Sequence, residues 1–185
     1  MRKKNSGNSK MKVILSAHFD LAKPVKYVKS DKNSMVGLID NMPGVFAAYK
    51  ASRETGADLY LTNFEEKNLG GAIAVAKNIK KEKAVVIVVD VCTDKVGTKK
   101  AYIGNAYNFQ TDSLKKKFGK EIFFRDGYFE PTEDETAIYG WDSKMPCFFF
   151  GIPIKGDYHD TDNQISNKDI DQATSVLIRL INFIK

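Results

Sequence analysis

The apolar run at residues 84–91 constrains the fold of this chain more than any other segment. It consists almost entirely of β-branched residues, and a continuous run of this kind is typical of a central strand buried on both faces. Asp90 lies near the end of the run. A buried carboxylate is costly unless it is paired or binds a metal, so Asp90 also indicates a candidate site.

Predicted strands and helices alternate along the rest of the chain. The last helix is the most clearly amphipathic, because Ala173, Leu177 and Ile181 share one face with further apolar residues. This order predicts one α/β domain, a three-layer α/β/α sandwich around a mostly parallel, mixed sheet. The other predicted strands are 12–17, 58–64, 100–103, 121–124 and 148–154, and the predicted helices are 41–55, 69–79, 112–118 and 169–184.

Length and cysteine content limit the number of domains and the expected environment. At 185 residues the chain fits one domain, with residues 1–10 as a basic flexible tail and residues 11–185 as the domain itself. Cys92 and Cys147 are the only cysteines and have no CxxC spacing, so reduced thiols in a cytoplasmic protein are expected. No segment approaches the ~18 apolar residues of a membrane helix, and no membrane partner is expected.

The net charge of +6 raises the question of nucleic-acid binding. Four basic residues lie in the tail, which leaves +2 for the rest of the chain. Only four of the 29 basic residues are arginine, whereas bidentate phosphate and base contacts favour arginine. The composition therefore predicts no specific nucleic-acid binding.

The two histidines both lie beside carboxylates. His18 precedes Asp20 by two residues, and His159 directly precedes Asp160. Several of these groups follow predicted strands, whose carboxyl ends form a crevice in open α/β sheets. A set of imidazole and carboxylate ligands suits two zinc ions that share one carboxylate. The remaining carboxylates of this set are Asp40, Glu65, Glu66 and Asp90.

Each of these motifs has a simpler explanation when it is considered alone. A short His-x-Asp pattern or a pair of glutamates is common in solvated loops, and an aspartate after a strand often caps a turn. Their joint occurrence in a chain with only two histidines favours a metal site.

The same motifs occur in the order found in the di-zinc exopeptidase superfamily, which includes aminopeptidases and zinc carboxypeptidases. The resemblance extends from about Lys12 to the C-terminus. His18-Phe19-Asp20 resembles the His-x-Asp motif of that family. Residues 37–45 resemble its Asp-Asn-x-x-Gly-Val segment, residues 63–70 its Glu-Glu motif, residues 89–91 its strand-end Asp, and residues 151–162 its last ligand segment.

The resemblance implies a role for each site residue. Asp40 bridges the two metals, Glu66 and His159 complete one metal site, and His18 and Asp90 complete the other. Glu65 is the general base, and Asp20 fixes the imidazole of His18. The resemblance also implies a cis peptide after Asp40. Tyr139 lies near the position of a substrate-binding tyrosine in some relatives, although core packing is the favoured role.

What the resemblance implies overall is a zinc-exopeptidase (phosphorylase/hydrolase)-like fold and a zinc-dependent peptide-bond hydrolase. An aminopeptidase acting on small peptides is the leading expectation. Co²⁺, Mn²⁺ or Fe could take the place of Zn²⁺ at the same ligands. Two alternatives stay open. One is a related amidohydrolase, such as a deacylase, a dipeptidase or a glutaminyl cyclase. The other is a non-catalytic metal-binding or partner-binding module anchored by the basic tail.

The spacing of the motifs also predicts how open the site is. Only 25 positions separate Asp40 from Glu65, which leaves no room for an inserted domain. We therefore expect a minimal catalytic domain without a lid or dimerisation insert, and a shallow, open site. Residues 148–150, three consecutive phenylalanines, fit either a specificity pocket or the core, and the core is favoured. Residue specificity and oligomeric state stay open.

Overall fold

The computed structural model describes residues 11–23, 28–93, 96–125, 134–157 and 159–185. The predicted tail, residues 1–10, lies outside these ranges. The strands are β1 Lys12–His18, β2 Val28–Ser30, β3 Ser34–Gly37, β4 Asp58–Thr62, β5 Ala84–Cys92, β6 Ala101–Tyr107, β7 Ile122–Phe124, β8 Cys147–Pro153 and β9 Gln164–Ser166. The helices are α1 Met42–Thr55, α2 Glu65–Asn68, α3 Gly70–Ile79, α4 Asp112–Phe118 and α5 Asn167–Ile184, and a π-helix covers Ala137–Asp142.

The main sheet has six strands in the order β4-β1-β5-β8-β6-β7. The first four strands are parallel, β6 is antiparallel to β8, and β7 is parallel to β6. One face of the sheet packs against α1, α4 and α5, and the other packs against α3 and the π-helix. The predicted three-layer α/β sandwich with a mostly parallel, mixed sheet is confirmed.

Strand β5 is the central strand that the apolar run predicts. All nine of its residues are buried, and it lies between β1 and β8. Val85, Ile87 and Val89 contribute to the core on the α1 side, while Val86 and Val88 contribute to the core on the α3 side. Because helices cover both faces of this strand, neither face is exposed to solvent, and apolar residues are favoured at every position.

The start of α1 is tied directly to β5. Asn41 caps the helix, since its Oδ1 accepts a hydrogen bond of 3.0 Å from the Gly44 amide, and its Nδ2 donates to the Val89 carbonyl at 2.8 Å. A Cβ at position 44 would lie 2.0 Å from Asn41 Oδ1, so only glycine fits there. These contacts place Asp40, which precedes the cap, beside the end of β5.

Some features of the fold differ from the sequence predictions. A second sheet, β2-β3-β9, and the π-helix are not predicted. The strand predicted for 58–64 ends at Thr62, because Phe64 turns the chain with φ 63° into α2. Phe148 and Phe150 are fully buried in the core, the position favoured for this run, whereas Phe149 is 8% exposed and also lines a cleft. Among the helices in the described ranges, none is long and apolar enough to cross a membrane.

Candidate metal centre

Two neighbouring parallel strands end at the same edge of the main sheet and, together with the loop before α1, bring the first group of predicted ligands together. His18 is the last residue of β1, and Asp90 lies near the end of β5. His18 Nε2 lies 3.2 Å from Asp40 Oδ1 and 3.3 Å from Asp90 Oδ2. All three residues are buried, with exposures of 2%, 5% and 8%.

The second group of predicted ligands adjoins the first through Asp40. His159 Nε2 lies 3.0 Å from Glu66 Oε2 and 3.9 Å from Asp40 Oδ2. One oxygen of Asp40 therefore lies on the His18 side and the other on the His159 side. This is the arrangement that a shared carboxylate requires, and the structure brings all five predicted ligands into one cluster. The Asp40–Asn41 peptide is cis, as the resemblance implies.

Asp20 lies next to residues of both groups. Its Oδ1 lies 3.5 Å from His18 Nδ1, and its two oxygens accept the backbone N–H groups of Glu65 and Glu66 at 3.2 and 3.3 Å. Asp20 thus contacts the imidazole at the end of β1 and holds the start of α2. Asp20 therefore contacts residues of both groups.

The cluster carries an excess of buried negative charge. Burial raises the pKa of Glu65 to about 8, and the charge of Asp90 adds to this effect. Burial also raises the pKa of Asp90 to about 7, together with the charge of Asp40. Burial by itself lowers the pKa of His18, but the charge of Asp90 and the contact with Asp40 raise it to about 12. The site therefore favours a positive charge at its centre.

The donor atoms fit a divalent metal. One donor atom each from His18, Asp40 and Glu66 lie within 4.8 Å of one another. Among the described residues, the buried oxygens Asp40 Oδ1 and Glu66 Oε1 have no hydrogen bond, and unsatisfied buried acceptors are uncommon in proteins. Imidazole nitrogen with carboxylate oxygen is a donor set that suits zinc and its neighbours among the transition metals.

The cluster opens into a cleft of about 1060 Å³. Glu65 lines this cleft beside the predicted ligands, and one wall is apolar. Sequence reasoning missed several of the lining residues. Asn105, for example, has φ 45° at an irregularity in β6, and no sequence pattern signals that its side chain faces the cleft. The apolar wall consists of Tyr102, Ile138, Trp141 and Phe149. Two polar lining residues, Asn105 and Asp134, are also unassigned by sequence reasoning.

Tyr139 packs inside the protein, which is the role that the sequence favours for it over substrate binding. Tyr139 has 0% exposure, and its hydroxyl lies 2.9 Å from Ser16 Oγ inside the protein. Its neighbours Ile138 and Trp141 line the cleft instead. The physical reason is the π-helix, which turns the Tyr139 side chain toward the sheet.

Comparison with known proteins agrees with this fold. The family model described as Peptidase family M28 matches residues 1–183. No curated protein matches the chain.

Several solved structures resemble the chain. PhTET1-12s, solved as a dodecamer, has a TM-score of 0.61 and 17% identity over 84% of this chain and 53% of that chain. A TET1 peptidase from Pyrococcus horikoshii has a TM-score of 0.59 and 16% identity over 84% and 52% of the two chains. The aminopeptidase APDkam598 from the archaeon Desulfurococcus kamchatkensis has a TM-score of 0.57 and 16% identity over 85% and 53%. This chain therefore spans about half the length of the structures it matches, and at these identities the likeness shows a shared fold.

Proposed function

This chain belongs to peptidase family M28, and from that premise we propose that it is a metal-dependent aminopeptidase that removes N-terminal residues from small peptides. One observation carries the proposal. The two oxygens of Asp40 face two separate groups of ligands, 3.2 Å from His18 Nε2 and 3.9 Å from His159 Nε2. The name aminopeptidase carried by one structural neighbour supports the same activity.

Five residues hold the metals in this proposal. Asp40 is shared, His18 and Asp90 complete one site, and Glu66 and His159 complete the other. Zinc is the first candidate, and cobalt or manganese can occupy the same nitrogen and oxygen donors. When bound, the metals lower the pKa of a water molecule and polarise the carbonyl of the scissile bond.

Glu65 is the proposed general base. Its carboxylate lines the cleft next to the ligand cluster, where it can take a proton from the attacking water and pass it to the leaving amine. A general base works best when its pKa lies near the operating pH, and burial moves the pKa of Glu65 in that direction. Asp20 acts through its neighbours, because it orients the His18 ring and holds the backbone at Glu65.

The proposal is tested by a paired hydrolysis assay on purified chain loaded with zinc or cobalt. The substrates are aminoacyl anilides with a free amino group and the same compounds with an N-acetyl group. An aminopeptidase cleaves only the free-amino series. Release of acetate from the acetylated series, with the anilide bond left intact, would identify a deacylase-type amidohydrolase. Metal binding without hydrolysis of either series would identify a non-catalytic module.

The Glu65→Gln variant tests the base in the same assay. It should retain both metals but lower kcat by about 10²–10⁴-fold, because only the proton transfer is lost. Glu54→Gln makes the same chemical change at an exposed position of α1 and should leave kcat unchanged. A Glu65→Gln variant with full activity would exclude Glu65 as the base.

A further inference from the structure

A buried group of three polar residues lies below the cleft and has no part in the proposed chemistry. Ser16 Oγ lies 2.6 Å from Glu135 Oε2 and 2.9 Å from the Tyr139 hydroxyl. The exposures of Ser16, Glu135 and Tyr139 are 0%, 1% and 0%. We call these three residues the Ser16 cluster. Burying polar side chains is costly unless they bond to one another, and these two hydrogen bonds pair the hydroxyls of Ser16 and Tyr139.

The Ser16 hydroxyl connects two different parts of the protein. It has one hydrogen, which it donates to the carboxylate of Glu135, and it accepts the hydrogen of the Tyr139 hydroxyl. Ser16 belongs to β1, whereas Glu135 and Tyr139 belong to the segment that forms the π-helix. Both bonds therefore attach the π-helical segment to the same point on β1.

That point on β1 lies next to the metal centre. Ser16 and His18 are two residues apart in one strand, so their side chains point to the same face, about 7 Å apart along the strand. The attached segment also reaches the cleft, because Ile138 and Trp141 line it. Tyr139 is buried while Trp141 is 51% exposed, so one side of the segment faces the core and the other faces the cleft.

The packing around Gly140 shows how closely the segment approaches the sheet. A Cβ at this position would lie 2.3 Å from the Tyr107 Cβ and 2.7 Å from Cys147 Sγ. Glycine is required for this approach of backbone to side chains. The segment is therefore seated on β6 and β8 at Gly140 and on β1 through the Ser16 cluster.

We propose that the Ser16 cluster positions the π-helix, so that Ile138 and Trp141 form a fixed wall against which the side chain of the substrate's first residue packs. Ser16, Glu135 and Tyr139 are positioning residues in this proposal. The substrate contact rests on the proposed function, whereas the position of the wall does not. Loss of any one of the three residues should loosen the wall and leave the metal ligands in place.

The position of the wall can be measured without any activity, because Trp141 is the only tryptophan in the chain. Acrylamide quenching of its fluorescence, with excitation selective for tryptophan, reports how accessible the wall is. Tyr139→Phe, Ser16→Ala and Glu135→Gln should each raise the quenching constant by about twofold, since local opening becomes less costly. The double variant Ser16→Ala, Tyr139→Phe should show little further increase over Ser16→Ala alone, because Ser16→Ala already removes the hydrogen bond to Tyr139.

Thr174→Val provides the matched control. It removes another buried hydroxyl, whose Oγ1 donates to the Ile170 carbonyl at 2.7 Å on α5, a helix that packs on the opposite face of the sheet. This variant should lower stability without changing the quenching of Trp141. Unchanged quenching in folded Tyr139→Phe and Ser16→Ala, or an equal change in Thr174→Val, would overturn the proposal.

The kinetic readout uses zinc-loaded protein and two substrate series. For leucyl and phenylalanyl substrates the cluster variants should raise KM by about three- to tenfold with kcat nearly unchanged, as expected for lost binding contacts. Alanyl substrates should be affected less, because their side chain is too short to pack on the wall. A uniform fall in kcat for all substrates would contradict the positioning role. If the wild-type chain hydrolyses no substrate, the proposed function fails, while the quenching result still decides the position of the wall.

Discussion

The two halves of the candidate metal centre are held by different kinds of structure. His18 and Asp90 lie on neighbouring parallel strands in the sheet interior, and the His18 side chain is 3% exposed. His159 lies in a turn with φ 65°, and its side chain is 41% exposed. The comparison indicates that the strand half is set by the fold, whereas the position of the loop half would depend more on a bound metal.

Removing one histidine from each half should give the largest contrast. In metal-free protein, His18→Ala should lower the free energy of unfolding by about 3 kcal/mol, because it leaves Asp40 and Asp90 buried without a positive partner. His159→Ala should lower it by less than about 1 kcal/mol, since the His159 side chain is itself 41% exposed to solvent. Urea unfolding in the presence of a chelator measures both values.

The zinc affinity of the same two variants provides the control. Each variant removes one ligand, so both should bind zinc more weakly than the wild type. Equal losses of stability in the two metal-free variants would show that the difference in burial has no energetic consequence.

The pH dependence of stability should test the buried charge of the whole cluster. The folded-state pKa values of Glu65 and Asp90 are raised to about 8 and about 7, so the metal-free folded state holds protons that the unfolded chain releases near its ordinary carboxyl pKa values. Stability is therefore present at acidic pH and is lost as the pH rises from about 4 to about 8. The raised pKa of His18 acts in the same direction above its ordinary value.

Bound zinc should remove this dependence, because it replaces the protons as the positive charge in the site. Thermal unfolding of the metal-free and the zinc-loaded chain, measured between about pH 5 and about pH 8, tests this. The raised pKa values of Glu65 and Asp90 set this pH interval. The stabilisation by zinc should be larger at the higher pH. A metal-free chain that becomes more stable across the same interval would contradict the charge distribution described for the cluster.

The smallest expected effect comes from two helix-cap variants, only one of which lies beside the metal centre. Asn41→Ala and Ser166→Ala each remove a side chain that caps a helix, α1 and α5 respectively, and each should cost about 1 kcal/mol of stability. Only Asn41→Ala should also weaken zinc binding, because Asn41 ties α1 to β5 beside Asp40. Calorimetric titration of both variants with zinc measures the difference. Equal zinc affinities would show that the cap does not help to position Asp40.

The positions of His18 and Asp90 can be predicted from the sequence better than the residues that line the surrounding cleft. His18 and Asp90 end strong apolar runs, and parallel strands bring such ends to one edge, so their proximity follows from the pattern. Asp40 and His159 lie in loops, and their placement depended on the family resemblance. The assignment of metal ligands stays a prediction, although the structure brings the residues together.

The walls of the cleft could not be predicted because they depend on long-range contacts. Residues 137–142 have no distinctive periodicity, and the π-helix there is seated by contacts with β1, β6 and β8. Hydropathy cannot distinguish the buried Tyr139 from the exposed Trp141 two residues later. The small sheet of β2, β3 and β9 is similarly hidden, because its strands are only three or four residues long.

The most direct test of the shared Asp40 is the zinc anomalous signal from crystals grown with zinc. We predict two peaks per chain, one beside His18 and Asp90 and one beside Glu66 and His159, with Asp40 between them. The Asp40→Ala variant should lose both peaks under the same conditions. A single peak in the wild-type chain, or two peaks that do not share Asp40, would contradict the account.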